Sequence, residues 1–177
     1  MDSRSNARTS LFLMELIIAV FFFSLAAAVC IRLFVSAHTM SEKTTNLSNA
    51  TVWSQNLAEA FYSCKGNVDE IATIYPSAFI TGDTVIIFFD KDWNITGDSG
   101  KDASYEAILS TGTKRASVVY SDVPEYRVAM KGDAAVGNIA ILDIRNTTDI
   151  ISSIPMNSKD IIFSISVDYY DTGKEAE

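Results

Sequence analysis

Residues that carry chemistry or break helices are scarce in this 177-residue chain. There is one histidine, His38. A Ser–His–Asp triad is therefore not expected in the second half of the chain. There are two cysteines, Cys30 and Cys64. If residues 30–64 form one helix, these cysteines lie 34 residues apart, about 50 Å, beyond the reach of a disulfide. Both read as small hydrophobes rather than as a disulfide framework. None of the 3 prolines or 8 glycines falls between Leu11 and Cys64. The chain has no Walker loop and no dinucleotide-binding glycine fingerprint, and its carboxylates are scattered without a selectable catalytic pair. No enzyme activity and no cofactor are expected. Basic residues are also few. From Lys65 to Glu177 there are 18 Asp and Glu against 10 Lys and Arg, a net charge of −8, whereas residues 1–64 carry 4 of each. An acidic second half argues against binding to nucleic acid or to an anionic lipid surface.

What the chain does have is a long apolar run. LFLMELIIAVFFFSLAAAVC, Leu11 to Cys30, is interrupted only by Ser24 and by Glu15. Apolar character continues through Ile31, Leu33, Phe34 and Val35 to Ala37. A cleaved signal peptide has an apolar core of about 7–15 residues, so this run is too long for one. As a helix, Leu11 to Ala37 covers 27 residues, about 40 Å, enough to cross a bilayer with Arg32 snorkelling to the far interface. Arg4 and Arg8 precede it, opposed only by Asp2, which places the N-terminus on the cytoplasmic side and the acidic part outside. Glu15 lies four residues into the run. It sits either at the headgroups or against a protein partner, because lipid does not solvate a carboxylate.

The helical pattern does not stop at the membrane length. Leu47, Ala50, Trp53, Leu57, Phe61 and Cys64 recur at three- and four-residue spacing with Ser, Thr, Asn, Gln and Glu between them. The two segments read as one helix of 53 residues from Leu11 to Ser63, about 80 Å long, stopped near Gly66. The stretch from Thr44 to Thr51 is a weak helix former.

The remainder reads as a mostly antiparallel sheet with one buried face. A short helix is expected over Val68, Ile71, Ala72 and Ile74, ending near Pro76. Strands are expected at Thr84–Asp90, Tyr105–Ser110, Ala116–Ser121, Glu125–Lys131, Gly137–Arg145 and Asp160–Tyr170. In the fourth, Tyr126, Val128 and Met130 share a face; in the last, Ile161, Phe163, Ile165 and Val167 do. Trp53, Leu57 and Phe61 are expected to pack the helix on the sheet. The nearest approach to a metal motif is DKDWNITGD, where Asp90, Asp92 and Asn94 alternate as in a calcium loop. Ile95 replaces the glycine that such a loop needs, and Lys101 replaces the final Glu, so a standard calcium loop is excluded and hairpin polarity is the default. Asn-x-Ser/Thr triplets such as Asn94-Ile95-Thr96 and Asn146-Thr147-Thr148 are given no role.

A short basic leader, an apolar helix with Glu near its start, a helical extension and a distal antiparallel sheet together resemble a type IV pilin-like protein. The similarity at the N-terminus covers Ser10 to about Val35. It implies maturation between Ser10 and Leu11, with Leu11-Phe12-Leu13-Met14-Glu15 in place of the family's Phe-Thr-Leu-Ile-Glu and Ser10 where its peptidase prefers glycine. The missing disulfide pair near the C-terminus points to a minor pilin or pseudopilin. The resemblance implies an α+β fold and a single-pass membrane location. It implies a non-enzymatic role as a subunit of a pilus, competence or type II secretion fibre. The implied partners are other pilin-like subunits met through the helix, a prepilin peptidase that cleaves and methylates, and an inner-membrane assembly platform. In such fibres the mature α-amine of one subunit meets the Glu of its neighbour, which gives Glu15 a purpose. The alternative is a signal-anchored surface protein that binds a ligand without polymerising. The expected organisation is leader 1–10, transmembrane half 11–37, amphipathic half 38–64, sheet domain 65–171 and tail 172–177.

Overall fold

Residues 3–97, 100, 102–122, 130–146, 153–155 and 159–171 are described in a computed structural model, residues 3–9 by their backbone alone. The fold is α+β. The chain divides into two units, Met1–Thr45 and Asn46–Glu177. Helix α1, Ser3–Ser63, contributes to both.

In the first unit the helix is exposed at every described residue from Ser10 to Thr45. No proline or glycine interrupts it. The hydroxyls of Ser24, Thr39 and Thr44 donate back to the carbonyls of Val20, Val35 and Met40, so these residues satisfy themselves within the helix.

The second unit begins with the rest of α1, which ends in a Schellman motif. Gly66 N–H donates to Phe61 O at 2.9 Å and Lys65 N–H to Tyr62 O at 3.3 Å, with Lys65 and Gly66 both left-handed at φ 53° and 80°. Helix α2, Val68–Ile74, follows, N-capped by Asn67, whose side chain accepts from the N–H groups of Asp69 and Glu70. Strands β1 (Phe79–Thr81), β2 (Thr84–Phe89), β3 (Tyr105–Arg115), β4 (Asp133–Asp143) and β5 (Ile161–Tyr169) form an antiparallel meander in chain order. A tight turn with Gly82 at φ 55° joins β1 to β2.

The core lies between α1 and one sheet face. Ala50, Leu57, Ala60, Phe61 and Cys64 of the helix pack with Val85, Ile87 and Phe89 of β2, Tyr105, Ala107 and Leu109 of β3, and Ile139 and Ile141 of β4. Full burial of side chains such as Leu57 and Phe61 contributes about 1.5–3 kcal/mol each. The expected packing of Trp53, Leu57 and Phe61 is thus present, with Trp53 partly buried.

Several expectations need correction. The sheet does not have one buried face. Ile86, Phe88, Ile108, Ala140, Leu142 and Ile144 form a second buried cluster on the opposite face, with Ala103, Ile154 and Ile161 packed on it. The apolar run TVIIFF is buried along nearly its whole length, as a strand covered on both sides requires. Ala116–Ser121 is not a strand: one turn of helix, α3 (Ala116–Val119), occupies it and is closed by Tyr120 N–H donating to Ala116 O. Pairing of β3 with β4 runs out at Arg115–Asp133, so the chain turns away there despite its β-branched residues. An irregularity in the β4–β5 ladder between Ile141 and Leu142 puts Ile161 opposite Leu142 and Phe163 opposite Ile141. Ile161 therefore faces the second cluster and does not share a face with Phe163. Leu47 is 47% exposed and does not belong to the buried stripe; Asn46 takes that place at 9%. Strand β1, Phe79–Thr81, is not among the expected strands. Residues 125–129 of the expected strand Glu125–Lys131, and the tail 172–177, lie outside the described residues.

Candidate functional site: the apolar helix face and the helix–sheet seam

Three groups of residues stand out by sequence, and the structure gives each a separate setting. The first is the N-terminal part of α1. Ser10, Leu11 and Glu15 are all exposed within it. Leu11, Ile18 and Phe22 lie on the same helix face as Glu15, at i−4, i+3 and i+7, and all three are exposed. From Leu11 to Val35 the large apolar side chains on every side of the helix are exposed. The helix is long and apolar enough to be a candidate membrane span, and none of its most apolar stretch is buried. A carboxylate in such a surface is uncompensated by anything in its own helix turn, because its neighbours at three and four residues are apolar. Arg32 and His38 are exposed further along the same helix.

The second group is the seam. Phe61 is its tightest point. The Phe61 ring lies so close to Gly66 and Gly137 that a Cβ on Gly66 would stand 3.1 Å from it and one on Gly137 3.0 Å. Trp53 packs on Phe89 with ring centroids 4.7 Å apart. Cys64 is buried in the same cluster, and burial, helped by the Glu70 carboxylate, pushes its thiol above the ordinary value, which makes it a poor nucleophile.

The third is the Asp90 loop. Asp90 Oδ1 accepts from the N–H groups of Asp92 and Asn94 at 2.8 and 2.9 Å, and Asn94 Nδ2 donates to Asp90 Oδ2 at 3.1 Å. The side-chain hydrogen bond from Asn94, with those backbone bonds, holds the Asp90 carboxyl below its ordinary value. Asp90 and Asn94 are thus brought together, but they fold the loop on itself instead of pointing outward as ligands. Asp92 is exposed and pairs loosely with Lys91 at 4.0 Å. No group of three or more His, Cys, Asp or Glu suited to a metal occurs among the described residues.

Sequence reasoning missed two further clusters. Asn46, Trp93 and Tyr105 meet at the start of the seam. Trp93 Nε1–H donates to Asn46 Oδ1 at 3.4 Å and Tyr105 O–H to the same oxygen at 3.1 Å. Asn46 lies four residues before Ala50 and continues the buried face of α1, but its polarity reads as solvent-facing in the sequence. The other cluster joins α3 to β5: the Tyr120 hydroxyl donates to Asp168 Oδ2, and its ring meets Tyr170 edge-on at 6.1 Å. Burial, reinforced by the Asp168 carboxylate, raises the Tyr120 phenol above its ordinary 10.0.

A cleft of about 530 Å³ opens on the second sheet face. Ser110, Asn138, Ser164 and Ser166 form its polar floor, and Ile154 and Pro155 stand beside it. Ser166 Oγ donates to Asn138 Oδ1 at 2.8 Å. Its lining residues carry hydroxyls and an amide but no titratable side chain.

No protein-family model matches the chain, and no curated protein or solved structure matches it.

Proposed function

We propose that the protein is a membrane-anchored, pilin-like subunit that assembles through its N-terminal helix into a pilus-like or pseudopilus fibre. The observation that carries this reading is Glu15, a carboxylate set in a helix face whose other residues are exposed and apolar. Lipid would stabilise those apolar side chains but not Glu15. A bundle of identical helices accommodates both, provided that each Glu15 meets a cation from a neighbour. Maturation between Ser10 and Leu11 would supply one in the α-amine of Leu11. The α+β arrangement of a long helix and an antiparallel meander supports the reading at the level of fold. The seam centred on Leu57 and Phe61 would fix the sheet domain to the helix, leaving an acidic surface outside the membrane. Other pilin-like subunits, a prepilin peptidase and an inner-membrane assembly platform are the partners this role requires.

Intact-mass measurement on protein extracted from membranes tests the processed form. The expected mass lacks residues 1–10 and carries one methyl group. A mass that retains those residues defeats maturation at Ser10–Leu11. A second reading, a surface binding protein held by an uncleaved anchor, is favoured by one observation, Ser10 at the position where glycine would be expected before the cut.

A further inference from the structure

We propose that Asn46, Trp93 and Tyr105 form a latch that closes one end of the helix–sheet seam, and that this end opens separately from the Leu57–Phe61 anchor. The seam is not chemically uniform. The buried positions along α1 and its immediate C-terminal turn in this unit run Asn46, Ala50, Ser54, Leu57, Ala60, Phe61 and Cys64. Its far half is large and apolar. Apart from the half-buried Trp53 on Phe89, its near half is small or polar, and those positions gain little from burial alone. The polar part of the closure there rests on a single acceptor, Asn46 Oδ1, shared by the Trp93 indole N–H and the Tyr105 hydroxyl.

The sheet side of the latch is built for that contact. Trp93 has φ 65°, a left-handed conformation that a bulky residue adopts at a cost and only when its surroundings impose it. The Asp90 loop imposes it: Trp93 N–H donates to Asp90 O, while the Asp90 carboxylate binds the residues on either side of Trp93. The indole is thereby laid flat on Tyr105, with centroids 4.2 Å apart and planes 12° apart. The guanidinium of Arg145 lies 5.4 Å from the centroid of the same Tyr105 ring. The stretch DKDWN, which resembles part of a calcium loop, therefore serves to aim Trp93 at the helix.

Between latch and anchor lies a weak point. Ser54 Oγ is buried and has no hydrogen-bond partner. A buried hydroxyl without a partner disfavours the closed state, and opening returns it to water. Once released, residues 46–54 are also rich in Ser, Thr and Asn, which hold a helix poorly by themselves. Opening at the latch thus relieves Ser54 without disturbing Phe61.

Hydrogen exchange on the full chain in detergent tests this. Tyr105→Phe removes one donor to Asn46 and leaves the ring. It is expected to speed amide exchange in residues 46–54 about fivefold, the change that follows from losing one ordinary hydrogen bond, with residues 58–63 unchanged. Ser54→Ala is expected to slow exchange in residues 46–54 and again to leave 58–63 unchanged. Equal acceleration of both segments in Tyr105→Phe would mean that the helix docks as one unit and would overturn the proposal. So would the absence of any change in residues 46–54 in both variants.

Discussion

Gly137→Ala tests the tightest contact in the helix–sheet seam. A Cβ at that position in β4 would lie 2.8 Å from Val167 Cγ2 and 3.0 and 3.1 Å from two atoms of the Phe61 ring. Real Cβ atoms do not approach that closely, so either β5 or the helix must shift. Neither shift is free, because Val167 and Phe61 are both buried in the core. Overpacking of this kind costs about 1–3 kcal/mol. At roughly 4 °C per kcal/mol for a unit of this size, Tm falls by about 4–12 °C. The protein supplies its own probes, since its two tryptophans, Trp53 and Trp93, both pack into this unit. Thermal unfolding of the detergent-solubilised chain followed by tryptophan fluorescence therefore reports on the seam without interference from the rest of α1. Val167→Ala removes the nearest clashing methyl and destabilises when made alone. Combined with Gly137→Ala, its effect should fall short of the sum by at least about 0.5 kcal/mol, because each substitution relieves the other. Additive effects, or an unchanged Tm in Gly137→Ala, would refute the close approach of helix and strands on which the core description rests.

Two pH dependences follow from the same unit. The Arg145 side chain, which donates to both Asp143 carboxylate oxygens, holds that carboxyl below the ordinary 3.8. A depressed carboxyl stabilises the fold above its unfolded value, so this contribution is present above pH 3.8 and is lost as pH falls through the folded value. Asp143→Asn should flatten that acid limb in a series of urea midpoints, and an unaltered limb would reject the assignment. Tyr120 titrates in the opposite sense. Its raised phenol value means that the stabilisation is complete below the ordinary 10.0 and drains away as pH climbs through the folded value. Phenolate absorbance should show a late-titrating component that shrinks in Tyr120→Phe. Early titration of every tyrosine would contradict the Tyr120–Asp168 bond.

Much of the architecture was legible in the sequence because it rests on long periodic signals. The breaker-free run from Leu11 to Ser63 and the spacing of Leu57, Phe61 and Cys64 specify one helix and its packing face without further information. Gly66 marks its stop, although the first left-handed residue is Lys65. The failures are equally physical. Ala116–Val119 has strand-like composition, but a four-residue segment takes its form from where its neighbours end, and β3 ends at Arg115. Ile161 changed face through a ladder irregularity that alternation alone does not reveal. Both buried faces of β2 were implicit in the unbroken run Val85–Phe89, which differs from the alternation of a half-exposed strand.

The candidate site was less legible than the fold. Glu15 stands out by chemistry alone, as a charge where every neighbour is apolar. Asn46 and Ser54 do not, because a polar residue on an amphipathic helix is taken for the solvent face unless its partner is known. Trp93 falls in a stretch of polar loop composition, and only the left-handed turn at that residue explains how its indole reaches the helix. Asp90 looked like a ligand because metal loops and self-capped loops use the same residues at the same spacing. In this structure its carboxylate accepts from the N–H groups of Asp92 and Asn94 and from the Asn94 amide, which is the self-capped arrangement.

The measurement that bears most directly on the subunit role is co-isolation of two differently tagged full-length copies from the same membranes, with and without Glu15→Ala. If Glu15 pairs with a neighbour's charge in a helix bundle, removing one partner costs about 3–5 kcal/mol per contact. Co-isolation should then be lost while membrane fractionation stays as it was. Undiminished co-isolation of Glu15→Ala would contradict a charge-paired bundle. Failure of the unaltered copies to co-isolate at all would contradict a subunit that assembles with its own kind.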